Sequence, residues 1–137
     1  MDKKILVALV KKEAKKLKKK LTKKEVSRLD FDNMYPDSPT RCIYGQAVGN
    51  CTNFRAHTLI NMCCEKVFVQ PRIMGTPLTE CELNGKPDLD PYTQQRDGHF
   101  SPIECFIYFM ENRINGNNKI LISYLKGDRK TLRFKKF

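Results

Sequence analysis

Tryptophan is absent from this 137-residue chain, histidine occurs twice, and none of the six cysteines belongs to a C-x-x-C pair. The missing pair argues against a structural zinc knuckle, which relies on closely spaced thiolates. Missing too are G-x-x-x-x-G-K-[ST], G-x-G-x-x-G and G-x-S-x-G. Nucleotide hydrolysis, dinucleotide binding and α/β-hydrolase chemistry therefore find no support in the residues. No run of about 18 apolar residues is present to span a bilayer. The apolar stretch ILVALV near the start is followed by lysines instead of the small residues of a cleavage site, so no secretory signal is expected. Without export, the cysteines read as reduced thiols and the location as cytoplasmic.

What is present is positive charge, distributed unevenly. The formal net charge is +11. Residues 1–30 hold twelve Lys/Arg against four Asp/Glu, and residues 126–137 hold six against one. The stretch between them carries eight basic and ten acidic residues, the balance of an ordinary globular body. Two basic ends on a near-neutral middle predict polyanions or acidic surfaces as partners. Three regions follow: a basic helical arm at 1–30, a linker at 31–40 rich in proline and aspartate, and a globular domain at 41–137 with a basic tail.

The arm has helical periodicity. At 100° per residue, Leu6, Leu9, Val10, Ala14, Leu17 and Leu21 share one half of the wheel. Lys4, Lys11, Lys12, Lys15, Lys16, Lys18 and Lys19 share the other. Thr22 and Glu25 have capping-box spacing, so a second short helix is expected from about Lys23 to Leu29. Lysines with no interleaved aromatics suit phosphate contact more than base reading. Arg129, Lys130 and Arg133 in the basic tail are further candidates for contact with a nucleic acid or partner.

In the body, Cys42-Ile43-Tyr44 reads as a short strand and Val67-Phe68-Val69 as another, closed by Pro71. Thr52 is placed to cap a helix over 53–65, with Ala56, Leu59, Ile60 and Cys63 on its apolar side. Residues 74–99, with three of the seven prolines, read as a long loop. Ser101-Pro102-Ile103-Glu104 is a strong helix start, followed by a stripe of Ile103, Phe106, Ile107, Met110 and Ile114 that Tyr108 and Phe109 thicken. A last helix, about Asn118 to Lys126, ends at Gly127. Leu132, Phe134 and Phe137 suit an edge strand or a cationic tail. The expected class is α+β, a mainly helical small domain with a few short strands, preceded by the lysine-rich amphipathic helix.

Three constellations could carry chemistry. Cys42, Cys51, His57 and Cys63 are candidate zinc ligands, although their spacing favours buried thiols and an exposed histidine. Cys51 six residues before His57 raises thiol catalysis. Glu80, Glu82, Asp88 and Asp90 could hold a metal ion for phosphodiester cleavage, but they sit in the proline-rich loop without the strand-borne lysine or paired histidines that usually accompany such a site. The residues favour a protein that is not an enzyme and carries no cofactor or metal.

The stretches RCIYGQAVGNC with FRAHTLI, and FSPIECFIYFMENRINGNNKILISYLKGD, resemble segments of small phage and prophage proteins. They cover less than half of the chain. The resemblance implies a context in which small proteins act by occupying a larger host machine, inhibitors of CRISPR effectors among them. The leading expectation is a non-enzymatic inhibitor that binds a host nucleoprotein, such as an RNA-guided effector, through its basic surfaces. The alternatives are a direct RNA- or DNA-binding regulatory protein and a metal-dependent nuclease; a membrane or a small-molecule substrate is not expected.

Overall fold

The computed structural model describes residues 3–36, 38–69, 99–110, 117–127 and 130–134. Its first helix, α1 (Lys3–Lys20), is the amphipathic segment that the periodicity predicts. Leu6, Leu9, Val10, Ala14 and Leu17 are buried along one side, and Leu21 follows them. Eighteen residues make a rod roughly 27 Å long. Thr22 then opens α2 (Lys23–Ser27) with the expected capping box. The Glu25 N–H donates to Thr22 Oγ1 at 3.1 Å, and the Thr22 N–H donates to the Glu25 carboxylate at 2.9 Å. Residues Phe31–Asn33 form a short 3-10 turn, and Met34 is buried after it.

The expected α+β class is corrected by the structure, which is predominantly helical. Cys42-Ile43-Tyr44 is not a strand; Ile43 begins α3 (Ile43–Val48). Cys42 Sγ accepts from the Gly45 N–H at 3.3 Å, and this local cap turns the backbone into a helix where β-propensity alone suggests extension. Among the described residues the extended pieces are β1 (Phe68–Val69) and β2 (His99–Phe100), which form one antiparallel two-residue ladder with Phe68 opposite Phe100. A ladder of that length cannot form a layer of the fold.

The other helices follow their signals closely. In α4 (Phe54–Cys63) the cap is Asn53, whose Oδ1 accepts from the Ala56 N–H at 2.8 Å. The expected cap, Thr52, instead donates its hydroxyl to Asn50 Oδ1 at 2.7 Å. In α5 (Pro102–Met110) Ser101 Oγ accepts from the Glu104 N–H at 3.2 Å, and the Glu104 carboxylate accepts from the Ser101 N–H at 3.1 Å. Ile103, Phe106 and Ile107 are buried and Tyr108 packs against the core; Ile114 and the side chains of Phe109 and Met110 lie outside the described residues. Helix α6 (Asn117–Leu125) is followed by Gly127 at φ 86°, a left-handed stop. Beyond it Leu132 is buried and the Phe134 ring packs on Phe106 with centroids 4.9 Å apart.

Helix α1 packs against α4, α5 and α6. Arg55, at the start of α4, donates to the Lys20 carbonyl, while Glu65, just past its end, meets Lys12 and Lys16. Helix α4 therefore runs antiparallel to α1. On the other flank, the Lys18 ammonium lies 4.2 Å from the centroid of the Tyr124 ring on α6. The result is a layer in the order α4, α1, α6, with α5 against the apolar side of α1.

At the centre of that contact is a charge-bearing residue. Glu13, on the apolar side of α1, is 1% exposed. Its Oε1 accepts from the Ile103 N–H at 2.8 Å, one of the donors left unpaired at the start of α5. Its Oε2 accepts from the Tyr44 hydroxyl of α3, and from Cys64 Sγ at 3.4 Å. One carboxyl thus joins α1 to α3, to α5 and to the segment after α4. Burial raises its pKa to about 7, against the opposing hydrogen bonds from Tyr44 and Ile103, and the neighbouring Glu104 pushes it the same way as burial.

Gly45 has a second structural duty. A methyl group there would overlap the Pro39 carbonyl oxygen and crowd the Thr40 carbonyl carbon at 2.9 Å, so α3 and the 38–41 turn can touch only through a glycine. Gly45→Ala is expected to lower stability by about 1–3 kcal/mol, measured by urea denaturation. The pH dependence of Glu13 is also directly testable. The folded-state pKa, about 7, lies above the ordinary value of 4.5, so the folded protein holds a proton that the unfolded chain releases. That contribution is full below pH 4.5, declines between 4.5 and 7, and is gone above 7. Relative to Glu13→Gln, the wild type should lose roughly 3 kcal/mol of unfolding free energy across this window.

Candidate nucleic-acid interface

Helix α1 contains nine lysines and one acidic residue, and that residue is the buried Glu13. The outer side of the helix therefore displays ammonium groups with no carboxylate of its own. Lys4, Lys12, Lys15, Lys19 and Lys20 are exposed, and Lys11, Lys16 and Lys18 are half-buried. Lys12 and Lys16 share the Glu65 carboxylate at 3.4 Å each, and Lys18 is committed to Tyr124. Exposed pairs of this kind contribute roughly 0–1 kcal/mol and leave one of the two charges uncompensated. Lys11, Lys15 and Lys19 pair with no carboxylate among the described residues. Their spacing places them along one line of the helix, with a rise of roughly 6 Å between successive members.

The ridge continues around the corner into α2, where Lys23 and Lys24 are exposed. Among the described residues the acid at this corner is Glu25, and it is occupied: Arg55 Nε and Nη2 donate to its two oxygens at 3.0 and 2.9 Å. That guanidinium, with the Thr22 backbone, holds the Glu25 carboxyl below its usual range despite partial burial. Lys130 and Arg133 are exposed near the other end of the chain, and Arg129 lies outside the described residues.

Among the described residues, the thiol and zinc candidates are not assembled. Among the described residues no group of three or more His, Cys, Asp or Glu side chains is placed to hold a metal ion, so Cys42, Cys51, His57 and Cys63 do not form a zinc site there. His57 is not the exposed helix residue the sequence suggests: it is fully buried, and neither ring nitrogen has a hydrogen-bond partner among the described residues. It therefore makes no hydrogen bond to Cys51, and the thiol–imidazole pair is absent. Glu80, Glu82, Asp88 and Asp90 lie outside the described residues. Cys63 and Cys105 are buried apolar-type side chains, and burial, reinforced by Glu13, pushes the Cys63 thiol up to about 12. In the native protein Cys42, Cys63 and Cys105 should resist alkylation at pH 8 while half-buried Cys51 reacts, as mass mapping of labelled peptides would show.

No helix among the described residues is long and apolar enough to cross a membrane. The chain matches no protein-family model, no curated protein and no solved structure.

The lysine side of α1 is legible in the sequence, but two features that shape it, a buried acid and an ion pair, are harder to see there. Glu13 lies four residues from both Leu9 and Leu17, inside the apolar stripe, and that position was a readable signal of burial. The Arg55–Glu25 pair joins residues thirty positions apart and left no such local trace.

Proposed function

We propose that this protein acts by binding, without catalysis, and that its ligand is the phosphate backbone of a nucleic acid laid along the lysine ridge of α1. The observation that carries this reading is the removal of the only acid of α1 into the core, which leaves Lys11, Lys15 and Lys19 in line and without a carboxylate partner among the described residues. A row of fixed cations gains affinity by releasing the counterions condensed on the phosphates it meets. In the setting implied by the phage resemblance, the partner is the RNA or DNA of a host nucleoprotein such as an RNA-guided effector, and binding would inhibit it. Charge supports contact with the nucleic acid itself, because the protein channels that receive guide and target strands are cationic and repel lysine.

The test is fluorescence anisotropy with a labelled oligonucleotide across a salt series, comparing the wild type with Lys11→Gln/Lys15→Gln/Lys19→Gln. Loss of three phosphate contacts should flatten the log–log salt slope by about 2–3 and weaken binding at least tenfold at moderate salt. A folded triple variant with wild-type affinity and slope would overturn the proposal.

A further inference from the structure

The most exposed large apolar side chain among the described residues is Phe54, at 65%, on the first residue of α4. Its position is fixed by its neighbours. Asn53 caps the helix and donates from Nδ2 to the Val48 carbonyl at 3.0 Å. Arg55 is tied to the Lys20 carbonyl at 2.9 Å and to the Glu25 carboxylate. Phe54 therefore stands at the corner where α1 ends and α2 begins, where Lys19, Lys20, Lys23 and Lys24 are all exposed. The corner's one carboxylate is already held by Arg55, so nothing acidic among the described residues offsets those four ammonium groups there. A phenyl ring held in water at this site has no packing duty within the described chain; the same ring stacked on a base would be partly desolvated.

We infer that Phe54 is a base-stacking platform at the end of the lysine ridge, and that the preferred ligand is accordingly single-stranded nucleic acid. This rests on the phosphate-binding reading above and deepens it. Ridge and ring divide the work as single-strand binders require: cations follow the backbone, and an aromatic face receives an unpaired base without reading its identity. A duplex keeps its bases stacked inside and can offer only phosphates. The pairing was invisible in the linear sequence because thirty residues separate Phe54 from Lys24.

The absence of tryptophan provides a clean probe. In Phe54→Trp the new indole is the only one in the protein, and its emission should be quenched by a 12-nucleotide single strand but little by an abasic strand of the same length. Phe54→Ala, exposed and expected to fold as the wild type by circular dichroism, should bind the base-bearing strand about 5- to 100-fold more weakly. Its affinity for the abasic strand and its salt slope should be unchanged. Equal binding of base-bearing and abasic strands by the wild type, an unaffected Phe54→Ala, or a preference for duplex would each overturn the stacking role while leaving the phosphate reading intact. Failure of the wild type to bind any of these strands would instead remove the phosphate reading and this inference with it. An abasic strand that loses affinity in Phe54→Ala would show the ring to act by some contact other than stacking, and would also overturn the proposal.

Discussion

Burial of one carboxyl group, that of Glu13, organises this protein. An apolar helix face normally excludes such a group, because an ionised carboxylate taken out of water without partners is costly. Here the cost is met by three donors from three different parts of the chain: the Tyr44 hydroxyl, the Ile103 N–H and the Cys64 thiol. The Tyr44 hydroxyl and the Cys64 thiol also lie 3.3 Å from each other, so the two side chains and the carboxyl form one connected cluster. Ile103 is at the open end of α5, Tyr44 is fully buried, and Cys64 closes α4. The carboxyl therefore specifies how α1, α3 and α5 meet, whereas hydrophobic contacts among leucines and isoleucines would tolerate several registers. Buried polar networks can serve specificity in this way, although removal of one member leaves the rest unpaired.

The same burial determines the surface. With Glu13 turned inward, every ionisable side chain left on the outside of α1 is a lysine, and the helix cannot neutralise itself through the i, i+4 Glu–Lys pairs that usually accompany lysine-rich helices. Compensation comes from outside the helix and is partial. Glu65 serves two lysines from the end of α4, and Tyr124 receives a third. Interior and exterior are thus two consequences of one placement: the carboxyl that locks the core is also the charge missing from the ridge.

Much of this was legible in the chain, and the misses share a cause. Helices α1, α2 and α5 announce themselves through periodicity and capping boxes, signals contained within a few residues, and each of the three starts close to where those signals put it. Helix α3 does not. Cys42-Ile43-Tyr44 has the composition of a strand, and the deciding facts were a thiol acting as a cap and a glycine whose missing side chain admits Pro39. His57 was misread because its neighbours on α4 leave it on the edge of the apolar stripe, where only the packing partner decides between water and core. For the candidate surface, the lysines were legible because their arrangement is local. Arg55, Glu25 and Phe54 were not, since the corner that unites them exists only after α4 folds back antiparallel to α1.

On the proposed reading, the geometry of that corner separates capture from retention. Solvated lysines attract a polyanion over about a Debye length, roughly 8 Å at physiological salt, and mainly raise the rate of encounter. They hold it weakly, because each ammonium keeps much of its water and exchanges one phosphate for another at little cost. A ring at the end of the ridge acts only at contact and slows departure, the step in which most affinity differences reside. A cationic track with an aromatic stop at one end also breaks the symmetry of sliding, since a strand moving along α1 meets a stacking position at the Lys20 end and none on the outer face of the helix, whose exposed residues are lysines and aliphatics. Position along the strand would then be set by where an unpaired base is available to stack, with no base identity read at all.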